Sequence, residues 1–264
     1  MLAVSSSRTV RVVMHYLFVD LDDTLFQSSR KCAPGEHLVP IAHSPDGVAN
    51  GFMNQGQQKV FSMLSSAMTM IPVTARNLNA FQRVSIGVTP YAIIDFGAVI
   101  LNTHGQPDMD WLERSRGMVR EASSWMESLK GEIDKLIRSA QLNAICRMIH
   151  DFETPFYLVA KYREGDESAL DRIRLEVVDQ WVLGHPGLAV VHVNGNNLAV
   201  LPVGLDKRHA VLHVQERLRE GGESVTTWGM GDSLSDLGFM SCCDYSIVPA
   251  RTQLGQRLAE GFRV

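Results

Sequence analysis

Cysteine is scarce in this chain: four residues in 264, Cys32, Cys146, Cys242 and Cys243, with no CxxC or Cys/His metal spacing among them. That excludes a disulfide framework and a thiolate metal centre as organising features, and the adjacent Cys242 and Cys243 suit a reduced protein. Long apolar runs are missing too, and none approaches the roughly 20 residues of a membrane helix. Neither charge sign dominates. The net charge of −4 gives no support for nucleic-acid or membrane-surface binding. Arg8 and Arg11 lend the amino-terminal stretch a basic flavour, but no long apolar core follows before a small-residue cleavage site, so it is not read as a signal peptide. A cytoplasmic protein, monomer or homodimer, with no nucleic-acid and no membrane partner is expected. There is no internal repeat and no low-complexity linker, and the nine histidines are scattered, which argues against a histidine metal site. With 45% hydrophobic and 20% charged residues, the chain is long enough for one large domain, or a core domain plus a smaller one.

What is present centres on YLFVDLDDTLF, Tyr16 to Phe26. The run Tyr16 to Val19 reads as a strand buried on both faces, fed from Val10, and it breaks abruptly into Asp20, Asp22 and Asp23 followed by Thr24. Carboxylates at the carboxyl end of a buried parallel strand lie where α/β sheets bind ligands. Three acids in four positions repel one another unless a cation compensates them. The simpler reading is an acidic turn with Asp23 or Thr24 capping a following helix. Ser44-Pro45-Asp46-Gly47 between short apolar patches predicts a hairpin, a small flap over the strand ends. A helix over 55–68, a strand over 69–73 ending in Thr74-Ala75-Arg76, helical character over 78–84 and a strand over 91–95 follow. The next stretch, 108 to about 149, reads as helical, its Met and Trp residues forming a local core. Strand 155–162, an amphipathic helix 166–183 and a hairpin of strands 188–193 and 198–203 around Asn-Gly-Asn-Asn complete an inserted α+β unit. Helix 207–219, strand 225–230, Gly231-Asp232-Ser233-Leu234-Ser235-Asp236, strand 245–248 and a last helix return to α/β alternation.

A parallel sheet would bring three polar strand ends to one edge: Asp20 and Asp22, Thr74 and Arg76, Asp232 and Asp236, with Lys207 on a helix start able to join them. Carboxylates for a hard metal and for nucleophilic or acid/base work, a hydroxyl and an ammonium are the parts that phosphoryl transfer needs. Taken in order, YLFVDLDDTLF, PVTAR, the Lys207 helix and GMGDSLSD resemble the four motifs of the haloacid dehalogenase superfamily of phosphohydrolases. The resemblance covers about 10–100 and 201–264. The size and position of the insertion resemble the large cap of the branch that includes sucrose-, trehalose- and mannosylglycerate-phosphate phosphatases and phosphomannomutase.

The resemblance implies an α/β fold: a Rossmann-like parallel-sheet core, 1–103 and 201–264, with an inserted α+β cap domain at 104–200. It implies Asp20 as nucleophile, Asp22 as general acid and then base, Thr74 as a phosphoryl hydrogen-bond donor and Lys207 as charge neutraliser. Mg²⁺ would be held by Asp20, the Asp22 backbone carbonyl, Asp232 and Asp236, with Ser233 in support. Thr74, Ala75, Arg76 and Lys207 would bind the substrate phosphate, though Arg76 by itself reads equally as the partner of a core carboxylate. The motifs depart from the usual pattern at Ala75, where Gly is common, and at Ser235, where Asn is frequent. Lys161, Arg163, Asn194, Asn196 and Asn197 read either as sugar-hydroxyl readers of the cap or as solvated and turn residues. The implied activity is a Mg²⁺-dependent phosphatase for a small phosphorylated metabolite, a sugar or polyol phosphate, working through an aspartyl-phosphate. A phosphomutase or phosphotransferase would share the same core residues, and a silent sugar-phosphate sensor the same fold. A receiver-type signalling module is disfavoured because it needs no cap.

Overall fold

A computed structural model describes residues 13–163, 168–221 and 224–261. The reading of Val10–Val12 as strand, and the start of the 166–183 helix at 166 and 167, lie outside the described residues. In chain order the elements are strands β1 (Val13–Val19), β2 (Val39–His43) and β3 (Ala49–Met53), helix α1 (Gln55–Ala67), β4 (Thr69–Pro72), α2 (Leu78–Phe81), β5 (Tyr91–Ile94) and β6 (Val99–Asn102). Then come α3 (Met109–Arg120), α4 (Ala122–Ser139), β7 (Ala144–Asp151), β8 (Thr154–Tyr162), α5 (Ser168–Ile173), a π-helical stretch (Arg174–Val178) and α6 (Asp179–Gly184). The chain closes with β9 (Ala189–Asn194), β10 (Asn197–Pro202), α7 (Lys207–Glu220), β11 (Ser224–Met230), α8 (Leu237–Met240), β12 (Tyr245–Ile247) and α9 (Gln253–Gly261).

The sequence places one parallel sheet at the centre, and its order is β12-β11-β1-β4. Leu17, Phe18 and Val19 are fully buried, as an unbroken apolar strand covered on both faces requires. Val19 is level with Met230 on one side and Pro72 on the other, and Met230 is level with Ile247. All four strands therefore stop at one edge, and the residues after them share it. Beyond β4 the backbone steps onto β5, where Thr74 donates its N–H to Ile93 O at 2.8 Å. The strand expected at 91–95 then folds straight back: Asp95, Phe96 and Gly97 have φ of 52°, 55° and 96°, and β6 returns antiparallel to β5.

The flap forms as the Pro-Asp-Gly signal predicts, with β2 antiparallel to β3 and Ser44 N–H bonded to Val48 O at 2.9 Å. It is stitched into the core, since Gln27 and Phe52 exchange backbone hydrogen bonds of 3.0 and 2.8 Å and Ser85 N–H reaches Ile41 O at 2.8 Å. Its apolar residues Ile41, Ala42 and Met53 pack with Leu21, Leu25 and Phe26.

The second sheet is antiparallel, in the order β7-β8-β10-β9. Here one expectation is corrected. Residues 144–149, read as the end of a helix, are the strand β7. Ala144, Cys146 and Met148 alternate onto the helix-covered face, and Gln141 at φ 50° stops α4 first. That face is sealed by Met126, Leu129 and Ile133 of α4, with Leu170, Ile173, Val178 and Trp181. The opposite face presents Phe156, Tyr157, Val159, Ala199 and Leu201 to Ile94, Phe96, Val99 and Leu101 of the β5–β6 hairpin and to Leu112 and Val119 of α3. Trp111, read from sequence as part of the inserted unit's core, packs instead with Ala210, Val211 and Val214 of α7 and donates Nε1–H to Gly97 O at 2.9 Å.

Candidate active site

Asp20 follows Val19 and keeps to the sheet's hydrogen-bond frame, its N–H on Met230 O at 2.9 Å. The chain then turns tightly. Leu25 and Phe26 donate back to Leu21 O at 2.9 and 3.3 Å, and Asp23 adopts φ 64°. Neither Asp23 nor Thr24 starts a helix, so the capping alternative falls. The turn instead carries Thr24 back over Asp20, with its hydroxyl 3.2 Å from Asp20 Oδ2 and 3.2 Å from Asp232 Oδ1. Sequence reading missed this contact; its signal is the spacing of four residues from Asp20 within a turn.

Lys207 opens α7, and its Nζ donates to Asp20 Oδ1 and Asp236 Oδ1, both at 2.7 Å. All three side chains are buried. Asp236 Oδ2 accepts from Asp232 N–H at 3.2 Å, Ser233 N–H at 3.0 Å and Ser233 Oγ at 2.7 Å. Ser235 Oγ lies 2.8 Å from Ser233 Oγ. Two glycines allow this closeness. A Cβ on Gly97 would stand 2.6 Å from Asp206 O and 3.0 Å from Lys207 Cα, and one on Gly231 would collide with Asp236 Cβ.

Three buried carboxylates meet one ammonium. Burial pushes the Asp20 carboxyl well above its ordinary range; Lys207 opposes this, and Asp236 and Asp232 add to it. Asp232 is pushed up to about 7, by burial first and then by Asp236 and Asp23. Burial acts to lower the Lys207 ammonium, but Asp20 and Asp236 outweigh it and hold it above its ordinary value. Asp20, Asp232 and Asp236 offer oxygens that all lie within 4.8 Å of one another. The one Thr24 proton cannot serve Asp20 Oδ2 and Asp232 Oδ1 together, so one of these oxygens always lacks it. An all-oxygen donor set short of positive charge fits a hard divalent cation such as Mg²⁺.

Thr74 and Arg76 arrive from β4. Val73 N–H bonds Val19 O at 2.8 Å, which sets Thr74 beside Asp20. The buried Thr74 hydroxyl accepts Arg76 N–H at 3.1 Å and keeps its own proton to donate. Arg76 Nε and one terminal nitrogen grip Asp22 Oδ2 and Oδ1, each at 2.7 Å, in a bidentate pair. Arg76 thus pairs with a carboxylate, and the Asp22 side chain stands outside the three-carboxylate group. Ala75 is accommodated: it packs on the apolar seam, and its carbonyl accepts the Tyr157 hydroxyl at 2.8 Å.

The antiparallel sheet roofs the site. His192 of β9 stacks on Phe96, with ring centroids 5.5 Å apart, and Tyr157 meets the same ring edge-on at 5.2 Å. Below, Asp95 is completely buried, and among the described residues neither carboxyl oxygen has a hydrogen-bond donor. Burial first, then the neighbouring Asp151, pushes its carboxyl well above the ordinary range. Asn196 proves to be a turn residue whose Oδ1 accepts Tyr162 N–H at 2.9 Å. Arg163 is exposed, its N–H on Asn143 O at 2.6 Å.

No model of a known protein family matches the chain, and no curated protein matches it. Solved structures do. An N-terminally truncated, IMP-bound IMP-nucleotidase of Plasmodium falciparum aligns with a TM-score of 0.55 and 12% identity over 94% of this chain and 66% of the other. The C-terminal domain of a C. albicans trehalose-6-phosphate phosphatase aligns with a TM-score of 0.54 and 14% identity over 86% of this chain and 72% of the other. The chain spans about two thirds of the nucleotidase's length. At such identities the likeness is one of fold: a Rossmann-like α/β core carrying an α+β insertion, the haloacid dehalogenase type of fold that the ordered motifs imply.

Proposed function

We propose that the protein is a Mg²⁺-dependent phosphomonoester hydrolase for a small phosphorylated metabolite, a sugar or polyol phosphate, with residues 1–103 and 201–264 as catalytic core and 104–200 as cap. The observation that carries the reading is the buried convergence of Asp20, Lys207, Asp232 and Asp236, with Thr74 alongside, at the carboxyl edge of the parallel sheet. Asp20, Asp232, Asp236 and the Asp22 carbonyl would hold the metal, which when bound supplies positive charge to the phosphoryl oxygens.

The chain's own groups account for the rest. An Asp20 carboxylate oxygen attacks phosphorus while the bond from phosphorus to the ester oxygen breaks. Asp22, protonated once it is released from Arg76, gives that departing oxygen its proton. Asp22 then takes a proton from a water that attacks the phosphoryl group, and the bond from phosphorus to Asp20 breaks, releasing inorganic phosphate and restoring Asp20. Lys207 and the Thr74 hydroxyl hold the developing charge. A phosphate dianion competes with Asp22 for Arg76, freeing Asp22 to turn toward the ester oxygen.

The test is phosphate release from a panel of sugar and polyol phosphates and p-nitrophenyl phosphate, with Mg²⁺ and with EDTA. Metal-dependent release is expected, and Asp20→Asn should abolish both turnover and a trapped phosphoenzyme. Normal turnover by that variant would overturn the assignment of the nucleophile, and silence across the panel would overturn the hydrolase reading.

A further inference from the structure

Two cations on the roof have no function in the chemistry above. Tyr157, Val159 and Lys161 alternate onto the face of β8 that looks at the parallel-sheet core, because Leu158 and Ala160 between them pack on the helix side. Tyr157 fixes that face against the motif loop through its bond to Ala75 O. Arg147 pairs with Val159 across the sheet and so lies on the same face. Lys161 and Arg147 are exposed, and among the described residues neither has a hydrogen bond or ion pair. The apolar seam that covers the rest of this face contains neither.

Their surroundings say what they look at. Desolvation pushes the Lys161 ammonium below its ordinary value; Asp22 opposes this, and the Arg76 and Arg147 guanidinium groups add to it. Lys161 therefore lies within electrostatic reach of the Asp22–Arg76 pair, with Arg147 beside it. The pair in turn borders the phosphoryl-binding set, since Arg76 donates its N–H to the Thr74 hydroxyl at 3.1 Å and feels the Asp20 carboxylate. A group held by Lys161 and Arg147 is on the side of the departing oxygen, hence on the organic part of the substrate. Two unpaired cations converging there are mutually repulsive without an anion between them.

Resting on the hydrolase reading, we infer that the substrate carries a second anionic group, a carboxylate or a further phosphate, which Lys161 and Arg147 bind. The test compares matched compounds: sorbitol 6-phosphate with 6-phosphogluconate, and fructose 6-phosphate with fructose 1,6-bisphosphate. The first pair reports a carboxylate and the second a phosphate. The doubly anionic member should have a kcat/KM about tenfold or more higher, the yield of one charge-assisted hydrogen bond, expressed mainly in KM. Lys161→Ala and Arg147→Ala should each shrink that ratio, and Lys161→Glu should invert it. Turnover of both members with a ratio near one, or a ratio that Lys161→Glu leaves alone, overturns the inference while sparing the hydrolase. If neither is turned over, the hydrolase reading fails, and calorimetric binding decides this one alone. About tenfold tighter binding of the doubly anionic compound by the wild type, lost in Lys161→Glu, supports the anion subsite, and equal or absent binding overturns it.

Discussion

Replacing Lys207 by Met removes one ammonium and keeps most of the stem's volume, so the change is chiefly electrostatic. The side chain is 3% exposed and its partners Asp20 and Asp236 are 9% and 0% exposed, so water cannot take over either contact. Removing one partner of a buried ion pair costs about 3–5 kcal/mol, because the remaining charge is stranded. Asp236 keeps three donors on its other oxygen. Among the described residues the Asp20 carboxylate keeps only the shared Thr24 hydroxyl, so the loss falls mostly there. The lower half of that range follows, about 3–4 kcal/mol, which for a chain of this size lowers Tm by on the order of 10 °C. Urea unfolding followed by circular dichroism, in EDTA so that no metal substitutes for the ammonium, measures it. The companion is Lys207→Met with Asp20→Asn. Removing one of the two stranded charges should make the double variant more stable than the single one, a coupling that independent sites do not show. A single variant within about 1 kcal/mol of wild type, or strict additivity, refutes the charge-stranding argument.

Gly97→Ala adds a methyl 2.6 Å from Asp206 O at a φ of 96°. It should cost about 2–4 kcal/mol in urea unfolding from backbone strain and overpacking together, and lower kcat by shifting Lys207; a silent substitution would mean that the β5–β6 turn does not position α7. Asp95 holds its proton in the fold at pH values where the unfolded chain, with a carboxyl near 3.9, has lost it. Folding therefore takes up a proton as pH rises above about 4, and wild-type stability should fall with rising pH through this group. Asp95→Asn, neutral at every pH, should gain on the wild type between pH 5 and pH 8, and a constant gap would show that Asp95 is ionised in the fold.

The strand ends were readable because their signals are local. A run such as Tyr16 to Val19 that stops at an aspartate needs no knowledge of its neighbours, and the same holds for Val225 to Met230 before Gly231-Asp232. The parallel register then follows from burial, and it set Asp20, Thr74 and Asp232 at one edge as expected. Strand β7 was hidden. Ala144, Cys146 and Met148 are good helix residues or neutral ones, and only the sheet beneath them decides their alternation. Thr24 was hidden because its partner Asp232 is 208 positions away. Lys161 was open between a substrate reader and a solvated charge, and Arg147 carried no signal of its own, until the strand pairing showed which face they share. Arg76 was open between phosphate and carboxylate, and the 2.7 Å bonds to Asp22 decide what it holds in this structure.

The seam between the two sheets bears on how anything enters. Phe156, Val159, Ala199 and Leu201 are wedged against Ile94, Val99 and Leu101, and all are buried. Fully burying one such large side chain is worth about 1.5–3 kcal/mol, so peeling several apart at once approaches the roughly 5–15 kcal/mol that holds a whole domain folded. A roof fastened this way does not swing clear like a door on a strap. The seam clamps the roof at its apolar end, and the Asn194–Asn197 turn lies exposed away from it.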